Sequence, residues 1–208
     1  MTLTTRVKWL LAICLVALAW PATAAVVGDA RVAYNARCAL TIDGQAYQGM
    51  LYATPGFQRH EQTLGGIPEV AILDISAGRG YFVVPMLQSY VDFPIDQAMR
   101  ELSSPDVTGD PVGHEAVNGV ATTKYRLAHR AADGTRIDGF VWLTSAGVPM
   151  RGDGTVVVSN GKRTPFAWEL SQLQIGPQPK TLFQPPDGFY RLPASALPGF
   201  LGGGGHSR

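Results

Sequence analysis

The sequence has little cysteine, little charge and few long apolar runs. Its two cysteines are Cys14 and Cys38. Cys14 lies in an amino-terminal apolar segment, so a chain that loses this segment keeps Cys38 alone and has no internal disulfide. Charged residues make up 16% of the chain and the formal net charge is +1, a balance that gives no basic footprint for nucleic acid. Hydrophobic burial must therefore supply the stability, and nucleic acid is excluded as an expected partner.

The one long apolar run, residues 9–20, is too short to span a bilayer. It follows the positive residues Arg6 and Lys8, and Pro21 ends it, which is typical of a secretory signal. The small residues before position 25 predict cleavage after Ala24, with Ala25 as the alternative. Without Arg6 and Lys8 the formal charge falls from +1 to −1. We expect an exported protein of a bacterial periplasm, and read Cys14 as part of the discarded signal.

The rest of the chain predicts one domain of many strands. Residues 32–43 alternate apolar and polar side chains, and Asp43-Gly44 is a two-residue hairpin signal. Asn118-Gly119 and Asn160-Gly161 are further signals of this kind, and Asp153-Gly154 predicts a turn between two short strands. The predicted strands are residues 32–43, 45–53, 57–64, 70–75, 81–85, 115–117, 121–130, 136–144, 148–152, 155–160 and 163–175.

One segment has a different period. Residues 91–102 place apolar side chains three and four positions apart, which predicts a short amphipathic helix. The predicted fold class is mainly β: a curved antiparallel sheet that forms an open (half) barrel, with one or two short helices packed against it. The predicted divisions are a signal peptide at 1–24, a single β-rich domain at 25–198 and a disordered glycine-rich tail at 199–208.

No constellation of residues specifies a reaction. The histidines complete no metal-binding or nucleophile motif, and the pairs His60-Glu61 and His114-Glu115 point to opposite faces of their strands. We therefore expect no enzyme, no metal and no cofactor. Cys38 lies at an apolar position of its strand and reads as a buried structural thiol, with an intermolecular bridge or a reactive site as the alternatives.

Some strands are apolar on both faces. Phe140 and Trp142 share one face of their strand while Val141 and Leu143 share the other. A single sheet buries both faces if it closes on itself or lines a cavity, or if a core lies on one side and a helix on the other. Both arrangements remain open at the level of the sequence.

Several segments together resemble a known superfamily. They are the hairpin 34–53, the segment 66–85 with its Gly66-Ile67-Pro68-Glu69-Val70 start, the stretch 117–127, the strand 139–142 and the closing 183–189. Over residues 32–192 they look like the periplasmic LolA/LolB/RseB-like half-barrel superfamily, and in particular its DUF4412-type members of unknown function. The resemblance implies an incomplete β-barrel that holds an acyl chain, a lipoprotein or another apolar ligand.

Two functions are therefore expected. The first is a non-enzymatic periplasmic protein that binds a lipid, an acyl chain or a lipid-modified protein by burying it in the concave face of the barrel, with transient contact with a membrane. The second is a protein-interaction or sensing module of the cell envelope, marked by an exposed apolar patch outside the sheet. The predicted ligand-binding residues are Tyr47, Leu51, Leu73, Phe82, Val84, Met86, Tyr90, Phe93, Phe140 and Trp142.

Overall fold

The protein is a single open sheet of twelve strands in the part of the chain that the structure describes. The computed structural model describes residues 31–64, 67–95, 111–131 and 133–193. The predicted signal peptide, its cleavage site and the glycine-rich tail lie outside the described residues. The strands are β1 Tyr34–Ile42, β2 Gln45–Thr54, β3 Phe57–Leu64, β4 Ile67–Asp74, β5 Arg79–Val84, β6 Ser89–Pro94, β7 Gly113–Val117, β8 Val120–Arg130, β9 Arg136–Leu143, β10 Pro149–Val157, β11 Arg163–Ile175 and β12 Tyr190–Arg191.

The strand order is β12-β6-β5-β4-β3-β2-β1-β11-β10-β9-β8-β7. Two antiparallel meanders, β1–β6 and β7–β11, join where β1 pairs with β11. The two-residue strand β12 is the exception, because it runs parallel to β6 at the sheet edge. The sheet curves as an open half-barrel, and the predicted mainly β fold class is confirmed.

The hairpin turns follow the predicted chemistry. Asp43-Gly44 and Asn118-Gly119 both have positive φ at each of their two residues, the conformation that Asx-Gly pairs adopt at low cost between antiparallel strands. The turn predicted at Asp153-Gly154 is wrong. These two residues lie inside β10, which is paired on both sides along its length, because tertiary pairing outweighs a local turn preference.

The predicted helix at 91–102 is wrong for residues 91–94. Val91 and Phe93 are buried, alternate with Asp92 and pair with β5, so the segment forms β6. The part of the prediction beyond Ile95 lies outside the described residues. The two helical segments that are described are short 3₁₀ turns, Pro85–Leu87 and Lys180–Phe183.

The two faces of the sheet are defined by β1. We call the face that carries Cys38 and Leu40 the front face, and the opposite one, which carries Arg37 and Ala39, the back face. The pairing registers carry this assignment across the sheet, since directly opposed residues share a face. The carboxy-terminal segment lies on the back face of β2–β6, where Phe183 joins Ile72 in a buried cluster.

Candidate functional site

The front face is apolar and buried over most of its width. Its buried apolar residues in the centre of the sheet are Tyr34, Ala36, Cys38, Leu40, Ile42, Tyr47, Leu51, Ala53, Phe166, Trp168 and Leu170, and those toward the β6 edge are Ala71, Leu73, Phe82, Val91 and Phe93. Alternation places their neighbours on the back face. The front face is therefore the broadest apolar surface that the described strands share.

Glycines let large rings lie flat against this face. A Cβ on Gly152 of β10 would stand 2.1 Å from the Trp168 ring, and one on Gly80 of β5 would stand 2.2 Å from the Phe93 ring. The Phe166 and Trp168 rings stack at 5.7 Å with their planes 17° apart. Each ring thus covers the bare backbone of the neighbouring strand.

The structure divides the ten predicted ligand-binding residues between the two faces. Leu73, Phe82 and Phe93 lie in one buried front-face cluster with Val84 at its margin. Tyr47 and Leu51 lie on the front face in the main core cluster. These six side chains share one face, as a common site requires.

Phe140 and Trp142 were expected on the same wall, and the structure places them on the back face. In β9 it is Val141 that shares a face with Gly152 and Trp168. Strand alternation reverses the assignment with a shift of one residue, and the sequence of β9 is apolar at both sets of positions. Trp142 donates a hydrogen bond from its indole N–H to Glu115.

Cations cover these two back-face rings. Lys124 Nζ lies 4.2 Å from the centroid of Phe140 and 4.5 Å from that of Trp142, and the Arg151 guanidinium lies 4.7 Å from Trp142. Such contacts bury the faces of aromatic rings without a further layer of protein. Phe140 and Trp142 therefore lie on the face opposite to the six front-face residues.

Tyr90 and Met86 also lie away from the front face. Tyr90 packs in the back-face cluster, with its ring edge-on to Tyr81 at 5.9 Å. Met86 is 64% exposed in the turn between β5 and β6. Neither residue shares a surface with Phe82.

A row of buried polar side chains crosses the front face, and no sequence pattern predicted it. Gln58, His60 and Gln62 of β3 point to this face, and Glu69 of β4 lies opposite Gln62. His60 Nε2 is 3.0 Å from Gln58 Oε1, and Gln62 Nε2 donates to Glu69 Oε2 at 3.2 Å. Both faces of β3 are polar in sequence, so only the register with β2 shows which set is buried.

Burial shifts the pKa values of this row away from the charged forms. Desolvation lowers the pKa of His60 to about 3, so the imidazole is neutral. Desolvation raises the pKa of Glu69 to about 7, although the hydrogen bond from Gln62 opposes the shift. Burial, and then the charge of Glu69, raises the pKa of Tyr47. Glu69 and Tyr47 therefore lie close enough on the front face for the charge of one to affect the pKa of the other.

The charged residues of strands β1–β11 lie on the back face, with one exception. Among the described strands β1–β11, the front face carries one Asp, Glu, Lys or Arg residue, and that residue is Glu69. Arg37, Arg59, Lys124 and Asp153 are examples of the charged residues on the back face. An uncharged front face favours apolar partners and disfavours ionic ones.

Cys38 is buried on the front face, and desolvation raises the pKa of its thiol to about 12. Its burial agrees with the structural thiol that the sequence predicts, since a thiol at this pKa is not a nucleophile near neutral pH. No cluster of three His, Cys, Asp or Glu side chains suited to a metal ion occurs among the described residues. A search of the same residues for a helix long and apolar enough to cross a membrane found none.

Comparison with known proteins gives matches of fold and not of sequence. No family model matches the chain, and no curated protein matches it. A solved structure of an uncharacterised conserved protein from Thermus thermophilus is 12% identical, with a TM-score of 0.50, over 84% of this chain and 98% of that one. At this identity the likeness shows the fold alone.

Two further solved structures are similar at lower TM-scores. A LolA superfamily protein from Nitrosomonas europaea is 8% identical over 82% of this chain and 97% of its own, with a TM-score of 0.42. MucB of Pseudomonas aeruginosa, solved as a MucA/MucB complex, is 16% identical over 80% of this chain, also at 0.42. The match covers 59% of the MucB chain.

Proposed function

We propose that the protein is a non-enzymatic binding protein of the bacterial periplasm, and that it binds the apolar part of a lipid or of a lipid-modified protein on its front face. The observation that carries the proposal is the segregation on the described strands β1–β11: a broad apolar front face with one formal charge, against a back face that carries the other charged residues of these strands. Burial of an acyl chain contributes about 0.8 kcal/mol per CH₂ group. The front face offers that burial across adjacent strands.

The proposal includes export and family. The signal at 1–24, with cleavage after Ala24, would deliver the domain 25–198 to the periplasm. Membership of the LolA/LolB/RseB-like superfamily, and of its DUF4412-type branch, is part of the same proposal. The proposed ligand wall consists of the six front-face residues of the predicted set: Tyr47, Leu51, Leu73, Phe82, Val84 and Phe93.

Native mass spectrometry on protein purified from the periplasm without detergent tests the ligand. We expect a co-purifying lipid of defined mass, which solvent extraction releases. We also expect the protein mass to match that of a chain whose first residue is Ala25. Bare protein that takes up no fluorescently labelled lipid of any head group from liposomes would contradict the proposal.

A pair of variants locates the site. Val84 is half-buried on the front face and Tyr81 lies on the back face of the same strand. Val84→Trp should fill front-face space and reduce lipid uptake at least tenfold, whereas Tyr81→Trp should leave it unchanged. Far-ultraviolet circular dichroism checks that both variants fold. Equal uptake by the two variants would place the ligand elsewhere.

A second function is supported by one surface feature. Met86 and Leu87 are 64% and 57% exposed, and Tyr190, 71% exposed, lies at the same sheet edge, where its backbone N–H donates to Gln88 O at 2.8 Å. An exposed apolar patch of this kind marks a protein-interaction surface. A photo-crosslinking residue at position 86 should capture a specific envelope protein in cells. The same residue at Val112, exposed at the opposite sheet edge, is the control and should capture none.

A further inference from the structure

Gln62 and Glu69 form a polar pair inside the apolar front face. They lie opposite each other on β3 and β4, and the Gln62 amide donates to Glu69 Oε2 at 3.2 Å. Gln62 is 5% exposed and Glu69 is 2% exposed. Side chains buried to this degree are normally satisfied by hydrogen bonds on both of their polar atoms.

One hydrogen-bond acceptor of this pair is unsatisfied within the described residues. Gln62 Oε1 is buried and receives no hydrogen bond from any described residue. Beside it stands the Glu69 carboxylate, which has no donor and only accepts hydrogen bonds when it is ionised. Two oxygen acceptors from neighbouring strands thus face one part of the front face, and a group that carries several N–H donors would satisfy both.

The charge at this place selects among donor groups. Glu69 is the one Asp, Glu, Lys or Arg of the front face within the described strands β1–β11, so its carboxylate has no basic side chain beside it on that face. The other titratable groups of the region are Tyr47 on β2, whose hydroxyl donates to Gln45 Oε1 at 2.9 Å, and the neutral His60 on β3. An ammonium group would compensate the carboxylate, whereas a carboxylate or phosphate group would meet repulsion.

We propose that Gln62 and Glu69 are a head-group site that binds the primary ammonium group of an apolar ligand, with the chain of the ligand lying on the front face. The ammonium donates to Gln62 Oε1 and to the Glu69 carboxylate, and no covalent bond changes. This inference rests on the proposed binding of an apolar ligand to the front face. It adds the chemistry of the head group to that of the chain.

Three probes with one chain and different head groups test the site. Isothermal titration calorimetry at pH 8 would compare dodecylamine, dodecanol and dodecanoate, each below its micelle concentration, on the purified mature protein. We expect the wild type to bind dodecylamine at least tenfold more tightly than dodecanol, and dodecanoate more weakly than either. Tighter binding of dodecanoate than of dodecylamine would overturn the site.

Matched variants assign the preference to the pair. Glu69→Gln keeps the size of the side chain and should remove the tenfold preference for dodecylamine over dodecanol. Glu61→Gln, on the back face of β3, is the control and should keep the preference. If Glu69→Gln does not fold, Gln62→Met tests the same site, because it removes one acceptor and should reduce the preference at least threefold.

The outcomes separate this inference from the function on which it rests. If none of the three probes binds the wild type, the proposed function itself fails. If all three bind with equal affinity, or if the preference survives both Glu69→Gln and Gln62→Met, the ammonium site is wrong while binding of apolar chains stands.

Discussion

The front and back faces of the sheet bury apolar side chains by different means. On the front face, rings lie across glycines of the neighbouring strand, as Trp168 does on Gly152, and within the described strands β1–β11 the one charged side chain is Glu69. On the back face, the carboxy-terminal segment covers β2–β6 through Phe183, and cations cover the aromatic rings of β9. Both faces bury apolar side chains, but charged side chains are part of the cover on the back face and Glu69 is the exception on the described strands of the front face.

Polar contacts hold the cover of the back face in place. Arg59 donates to Leu182 O at 3.1 Å while its Nε pairs with Glu61 at 2.7 Å. Arg191 makes two hydrogen bonds of 2.7 Å to Asp92, and these lower the pKa of that carboxyl. The back face is thus a conventional protein surface with one covered patch. The front face has the composition of an interior.

The largest expected effect comes from a charge placed on each face of one strand. Phe82 is 1% exposed on the front face, and Tyr81 is half-buried on the back. Phe82→Asp leaves an uncompensated charge in an apolar site, and we expect it to cost more than about 4 kcal/mol of unfolding free energy. Tyr81→Asp should cost about 1–2 kcal/mol, since its carboxylate can turn toward water. Urea unfolding followed by circular dichroism measures both.

Equal losses of unfolding free energy in Phe82→Asp and Tyr81→Asp would contradict the difference between the two faces. The conservative pair Phe82→Leu and Tyr81→Leu is the control, because it changes side-chain volume without adding charge. If Phe82→Asp alone stayed folded with a small loss, water would have to reach the front face.

A medium effect is expected from the pH dependence of Glu69. Its pKa is about 7 in the folded protein against 4.5 for the ordinary side chain, so the folded state holds the proton more tightly than the unfolded state. Stability therefore falls as the pH rises from 4.5 to 7. The total is about 3 kcal/mol, at about 1.4 kcal/mol per pKa unit. Glu69→Gln should lack this fall and be the more stable protein at pH 8.

Thermal unfolding of the wild type and of Glu69→Gln between pH 4 and pH 8 measures this difference. The two stabilities should approach each other at pH 4 and diverge as the pH rises from 4.5 to 7. Glu61→Gln provides the back-face control and should follow the wild type throughout. Parallel profiles for the wild type and Glu69→Gln would show that the front face does not penalise the charge.

Local sequence signals predicted the strands well because pairs such as Asp43-Gly44 determine both a turn and the strands that flank it. They failed where pairing between distant strands decides the outcome. Asp153-Gly154 has the composition of a turn, yet β9 and β11 hold it extended. The helix predicted at 91–102 rested on the spacing of Ile95, Ala98, Met99 and Leu102, whereas Val91 and Phe93 form a strand because β5 pairs with them.

The candidate site was harder to predict than the fold. Leu73 and Phe82 are apolar positions in strands whose neighbours fix the face, so they were placed together. Phe140 and Trp142 were not, since β9 is apolar on both faces and one residue of register decides the side. The polar row was missed because Gln62 and Glu69 come from strands whose sequences give no sign that these side chains are buried.

The smallest expected effect concerns the cationic cover of the back face. Lys124 lies over both Phe140 and Trp142, while Arg126, two residues along β8, is exposed on the same face. Lys124→Met keeps an apolar stem but removes the charge, and it should cost about 0.5–1 kcal/mol. Arg126→Met should cost less than about 0.5 kcal/mol, as exposed surface substitutions do.

Urea unfolding midpoints, followed by tryptophan fluorescence, measure the stability of both variants. An unchanged m-value would confirm that unfolding exposes the same amount of surface in each. High salt should lower the stability of the wild type toward that of Lys124→Met, because the contact of Lys124 with the rings is electrostatic and partly exposed. If Lys124→Met were as stable as the wild type at low salt, packing alone would account for the buried ring of Trp142 and the half-buried ring of Phe140. The back face would then differ from the front in composition and not in the force that covers it.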